Sequence, residues 1–263
     1  MLPKTIYHYT SSFEFLDDLF QKPIRIWATH KDFLNDPSEL HKTTRRLHHG
    51  FKQLAKDVLD DDVLKSPLEE LDHLNIFVKS FSCKKNALPM WMAYAKHNGF
   101  AVGFNLRKML EAINSVCERQ DINCKFPILR YKDHHHGCVT LSYGKCRYAK
   151  CQISDSEWAA LIESFYKNKA YCYENEFRIA ILNPDAHDKV FCDIDDQWSL
   201  IGGKPRVKIH LAEDTDINEI IDEIIISPIG DKRMTKLKVD FLCKRHGFDL
   251  RKVKISNIPY QEV

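Results

Sequence analysis

Two carboxylates and a guanidinium crowd one short stretch, Tyr173-Glu174-Asn175-Glu176-Phe177-Arg178-Ile179. Read as a strand, its side chains alternate between two faces, which places Glu174, Glu176 and Arg178 together and Phe177, Ile179 and Ile181 on the opposite, apolar side. Like charges at neighbouring same-face positions repel, so such a row calls for an opposite charge, a metal or a polar ligand in front of it. A carboxylate in that setting can stabilise positive charge developing on a reacting group, and does so most strongly in a dry cleft. The plainer alternative is an ion pair between Glu176 and Arg178 on a half-buried strand.

Three other islands carry polar or aromatic side chains at suggestive spacings: Tyr7-His8-Tyr9-Thr10, Leu34-Asn35-Asp36-Pro37-Ser38-Glu39, and Trp91-Met92-Ala93-Tyr94-Ala95 running to Gly99-Phe100. His8 can bind a ligand, or serve as a hydrogen-bonded structural residue between two tyrosines. Trp91 and Tyr94 stack at helical spacing, as a platform for a flat ring or as packing. Asn35-Asp36-Pro37 has turn composition, and Asp36 with Glu39 could close over a site or pair with Arg178.

The elements that must position these residues follow from periodicity. Ile6–Tyr9 reads as an opening strand, and Phe13–Phe20 as a helix capped by Ser11 or Ser12. Ile24–Ala28 and Ile76–Ser82 alternate as strands, and a polar helix is expected after the Asn-Asp-Pro turn, to about Leu59. Leu88–His97 reads as a helix that Gly99 ends in a left-handed turn. Phe100–Phe104 is a strand, Leu106–Cys117 a helix, and 126–132 and 143–149 two more strands. Glu157–Tyr171 is a helix leading to the Glu174 segment. Arg206–Leu211 and the aliphatic run Ile220–Ser227 are strands, Asp231–His246 is a helix ended by Gly247, and Lys252–Ser256 closes with a strand. With no repeat and no clear linker, residues 1–263 are expected to form one α+β domain.

Composition narrows the function classes. The chain has 263 residues, 29% of them charged, and a formal net charge of +2, so no dominant phosphate-backbone or membrane-surface role is called for. No apolar run approaches the roughly 18 residues that span a bilayer. Nine cysteines without repeating spacing predict free thiols in a reducing cytoplasm. Cys138, Cys146 and Cys151 lie near His134, His135 and His136, but without a Cys-x2-Cys pair no structural metal is expected there.

The four islands, in order, resemble an uncharacterised bacterial and phage family, DUF2971 (domain of unknown function 2971). Its pattern runs from a tyrosine-rich strand through an Asn-Asp-Pro turn, a Trp-x-x-Tyr-Ala helix and a Gly-Phe strand to a Glu-Asn-Glu-x-Arg strand. A more distant resemblance is to ADP-ribosyltransferases of the diphtheria-toxin and poly-ADP-ribose-polymerase kind. These have an early-strand histidine followed by a small residue and threonine, a midway aromatic and a late-strand glutamate. His8 with Thr10, one of Trp91, Tyr94 or Tyr143, and Glu176 fall in that order. Tyr9 stands where the polymerase-like members have glycine.

What the second resemblance implies is specific. The fold would be a mixed, mainly antiparallel split β-sheet flanked by helices. NAD would be the substrate, with Glu176 stabilising the ribose oxocarbenium, Glu174 orienting the acceptor and His8 anchoring the dinucleotide. Thr10, Trp91, Tyr94 and Arg178 would complete the NAD contacts. The acceptor would be water, a protein or a nucleic acid, and phage-rich membership would suit a defence or toxin role. Two other classes stay open: a magnesium-dependent nuclease or phosphoesterase using Asp36, Glu39, Glu174 and Glu176, and a non-catalytic sensor or interaction domain.

Overall fold

The computed structural model describes residues 3–35, 76–119, 129–131, 139–141, 169–182, 200–201, 204–211 and 213–260. A twisted, open and mainly antiparallel sheet organises them. Its order runs β11 (Val253–Ile255), β10 (Ile221–Ile226), β4 (Phe100–Asn105), β1 (Thr5–Thr10) and β3 (Ile76–Ser82). At β3 the sheet forks. One arm continues through β2 (Arg25–His30) and β9 (Lys204–His210) to β8 (Leu200–Ile201), and the other through β7 (Glu176–Leu182) and β5 (Leu129–Tyr131) to β6 (Val139–Leu141). Among the described residues only β10 and β11 pair in parallel.

The fork has a clear origin in the register. Along one edge β3 pairs with β7 over its whole length, from Ile76 opposite Leu182 to Ser82 opposite Glu176. The other edge is divided. β2 takes Phe77 and Val78, whereas β1 meets β3 at one position, Tyr7 opposite Ser82. Between those two junctions Lys79, Ser80 and Phe81 face a gap.

Alternation along β1 sends its side chains into two cores. Ile6 joins a large cluster with Phe104, Ile224, Phe81 and Phe177, covered by α1 (Phe13–Phe20) and, through Val239 and Cys243, by a long C-terminal helix (Lys232–Arg245). Tyr7 and Tyr9 point the other way, into a smaller cluster with Met90, Trp91, Ala95, Ala101 and Ile225. The apolar residues of α1 at positions 15, 16, 19 and 20 form its buried stripe, and Ser12 Oγ caps it by accepting from the Phe15 N–H at 3.2 Å. Asp231 caps the C-terminal helix likewise, and Gly247 follows it at φ +70°.

Several boundaries differ from the sequence expectation. The segment around Trp91 is a short α turn, Leu88–Met90, running into a π turn, Trp91–Ala95, rather than an unbroken α-helix to His97. Its exit uses Lys96 at φ +48° and Asn98 at φ +63°, so Gly99 does not supply the left-handed residue. Gly99 is needed for close approach instead. A Cβ there would sit 2.2 Å from the Ala95 carbonyl oxygen and 2.7 Å from that of Thr10, both backbone atoms that cannot swing aside. Gly99→Ala is therefore expected to destabilise the protein by about 1–3 kcal/mol through overpacking, read as a lowered midpoint in thermal denaturation; an unchanged midpoint would contradict this packing.

A strand is described at Val139–Leu141, while the expected one at 143–149 lies outside the described residues. Residues 142–150, 157–168 and 36–75, with the polar helix, the helix start at Glu157, Tyr143, Asp36 and Glu39, lie outside the described residues, as do His134–His136, Cys138, Cys146 and Cys151.

Candidate functional site

The gap in the β3 edge opens into a cavity of about 270 Å³. Its walls come from β1 (Tyr7 to Thr10), from β3 (Val78 to Ser82), from Trp27 and Thr29 of β2, and from Lys204 and Arg206 of β9. Tyr94, Asn35, Glu174 and Glu176 complete it. Because the strands part here, the cavity reaches both faces of the sheet. That is how His8, on the Phe81 side of β1, comes to share a space with Glu176, which lies opposite Ser82 on the Tyr7 side.

The carboxylate row is built differently from a continuous strand. Glu174 ends a 3-10 segment, Lys169–Glu174; Asn175 turns the chain at φ +43°, and β7 begins only at Glu176. Asparagine tolerates that conformation better than most residues. The turn is pinned to the end of β3. Ser82 Oγ donates to the Glu174 carbonyl at 2.6 Å, and the Cys83 N–H donates to the Asn175 carbonyl at 2.8 Å. The expected single-strand face for Glu174, Glu176 and Arg178 is thus corrected, yet both glutamates still line the cavity, 2% and 4% exposed. Phe177 and Ile179 face the core, as alternation predicts.

Each glutamate has its own partner. Arg178 Nη2 lies 2.9 Å from Glu176 Oε2, a fully buried pair. Tyr94 donates its hydroxyl to Glu174 Oε1 at 2.5 Å and accepts from Asn35 Nδ2. Burial, that hydrogen bond and the charges of Glu174 and Glu176 push the Tyr94 phenol far above its usual range, so it stays a donor. Asn35, the described part of the Asn-Asp-Pro turn, is thereby tied to the Glu174 side of the cavity.

His8 packs edge-on against Phe15, with ring centroids 4.7 Å apart, and faces the Ser80 backbone across the gap. Burial first, then the charge of Lys79, depress its basicity well below the ordinary value despite the nearby Ser80 backbone, so the ring is neutral at physiological pH. Thr10 lines the cavity while its Oγ1 accepts from the Ser12 N–H at 3.0 Å. Tyr9 points away from His8: its hydroxyl donates to the Lys84 carbonyl and accepts from the Ala87 N–H, and burial pushes it up to about 12.

Two expected contact residues are placed elsewhere. Trp91 is completely buried against Tyr9, ring centroids 4.7 Å apart, with its indole N–H donating to Asn86 Oδ1. It does not line the cavity, and neither does Arg178, which reaches it only through Glu176. Of the two aromatic alternatives among the described residues, Tyr94 is the one in the wall.

Sequence reasoning passed over Lys79, Lys204 and Arg206, which line the cavity, and Glu223, which lies behind Tyr7. Burial raises Glu223, but hydrogen bonds from Lys85, Lys254 and Tyr7 outweigh it and hold the carboxyl below its ordinary range. Lys79 did leave a signal. It sits between Phe77 and Phe81 on the apolar parity of an otherwise hydrophobic strand, where a lysine is rare unless it has work to do.

Residues 90–179 match the model of a family described as a protein of unknown function, DUF2971. That stretch, 90 of the 263 residues, contains both the Trp91–Ala95 turn and the Glu174–Arg178 segment, but not His8 or Asn35. No curated protein and no solved structure matches the chain. Among the described residues there is no group of three or more His, Cys, Asp or Glu side chains placed to hold a metal, and no helix long and apolar enough to cross a membrane. Among the described residues, Cys83, Cys172 and Cys243 form no disulfide.

Proposed function

We propose that this cavity takes the nicotinamide–ribose part of NAD and cleaves its glycosidic bond, passing ADP-ribose to water or to an acceptor. The observation that carries this reading is the convergence of Glu176, Glu174, Tyr94 and His8 on one cavity. At about 270 Å³ the cavity is near the lower end of small-molecule sites (about 300–1,000 Å³), a size for a nucleoside-like moiety rather than a whole dinucleotide.

The roles follow from charge. As the bond from ribose C1′ to the pyridinium nitrogen breaks, nicotinamide leaves with the electron pair and becomes neutral. Positive charge then spreads over C1′ and the ring oxygen of the sugar. Glu176, paired with Arg178, faces that charge. A water or acceptor hydroxyl then bonds to C1′ and gives up its proton. Glu174, already a hydrogen-bond acceptor from Tyr94, is the group to receive it. Neutral His8 can donate to or accept from a ribose hydroxyl, and the Tyr94 ring offers a face to the base.

Incubation of the purified protein with NAD, alone and with protein and nucleic-acid acceptors, should release nicotinamide and either free or attached ADP-ribose, detected by chromatography and mass spectrometry. Absence of nicotinamide under all three conditions would refute the reading.

A further inference from the structure

The wall beside His8 carries basic side chains, and the one carboxylate charge felt there is that of Glu14 on Arg206. Lys79 is 4% exposed, and its Nζ lies 4.2 Å from the centre of the Phe15 ring and 5.6 Å from that of Phe81. No carboxylate pairs with it among the described residues. Arg206 is half-buried, with its guanidinium carbon 5.1 Å over the Trp27 ring and its Nε sequestered without a hydrogen-bond partner among those residues. Lys204, two residues earlier and so on the same side of β9, donates to the Phe33 carbonyl at 2.8 Å. All three line the cavity beside His8.

Cationic groups withdrawn from water without a partner are unfavourable, and the protein gains nothing structural from these two. Burial, then the neighbouring Arg206 charge, drives Lys79 far below the usual lysine range, and burial lowers Arg206 as well. Such a wall is completed by an anion. Three convergent donors suit a polyvalent phosphate better than a single carboxylate.

Resting on the nucleotide reading above, we propose that Lys79, Arg206 and Lys204 form an anion subsite that takes the diphosphate of the ligand, opposite the Glu174–Glu176 wall. The ligand is thereby oriented by its own polarity, with the sugar carbon against the carboxylates and the phosphates against β3 and β9. The charged or titratable groups around the subsite are His8 from β1, Arg206 and Lys204 from β9, and Glu14 from α1, whose charge reaches Arg206.

Calorimetric titration with inorganic pyrophosphate, and separately with ADP-ribose, tests this on the full chain. Both should bind, and more weakly at higher salt. Lys79→Met and Arg206→Gln should each weaken pyrophosphate binding at least tenfold. Lys79→Met should also melt higher than the parent, since it replaces a buried unpaired amine with an apolar chain of similar length. No saturable binding of either probe to the parent protein, or full affinity in both variants, would overturn the subsite. The two readings fail separately. Pyrophosphate binding without nicotinamide release keeps the subsite and removes the glycosidic chemistry; nicotinamide release with an unchanged KM in both variants does the reverse.

Discussion

Glu176→Gln should lower nicotinamide release from NAD by about 10²–10³-fold, the usual loss when one preorganised electrostatic stabiliser is removed from a transition state. The substitution keeps the side chain's shape, and its amide oxygen can still accept from Arg178 at the position where the carboxylate does now. What disappears is the negative charge facing the sugar, and with it the counter-charge of Arg178, so the variant should also melt lower than the parent. The fall should therefore lie in kcat, with KM changing little, because the oxocarbenium charge exists only in the transition state. Circular dichroism and a melting curve run alongside separate this from unfolding. Activity within threefold of the parent in a folded variant would remove Glu176 from the chemistry.

Arg178→Met should have the largest effect on the fold itself. Arg178 is 1% exposed and its guanidinium pairs with Glu176 at 2.9 Å. Removing one partner of a buried pair leaves an uncompensated charge, and such changes destabilise by about 3–5 kcal/mol. In a chain of this size that corresponds to a melting point lower by on the order of 10 °C. The double variant Glu176→Met/Arg178→Met should recover much of that loss, since an apolar pair of similar volume carries no stranded charge. Denaturant unfolding of the two single variants and the double variant measures the coupling; additive losses would show that the pair is not the source.

How far the sequence could be read depended on the range of the interactions. Phe13–Phe20 was legible because its cap at Ser12 and its apolar stripe are local. The alternation in β9 and the aliphatic run of β10 carried those strands for the same reason, and the C-terminal helix announced itself through Asp231 and Gly247. The break after Glu174 was not legible. Alternation of Glu174, Glu176 and Arg178 fits a strand, and only the tertiary clamp from Ser82 and Cys83 sets the turn at Asn175. The role of Gly99 was hidden likewise, since its crowding comes partly from Thr10, a residue far away in the chain.

The site divides along the same line. His8, Thr10, Tyr94, Glu174 and Glu176 were named from types and order, and the cavity does collect them. Trp91 shares a turn with Tyr94, but only the packing of Tyr9 shows which of the two faces the core. The cationic wall depends on β3 and β9 meeting across β2, a long-range pairing with no local signature.

The lone junction of Tyr7 with Ser82 bears on how a ligand gets in. Elsewhere β1 is zipped to β4 over six consecutive positions, and β3 to β7 over seven. Backbone pairing between those two ribbons is thus confined to one rung, and side chains join them elsewhere: Ile6, Phe81, Phe104 and Phe177 share one core, and the Tyr9 hydroxyl bonds the Lys84 carbonyl and the Ala87 N–H. The entrance to the interior is therefore framed by side chains rather than by a continuous ladder.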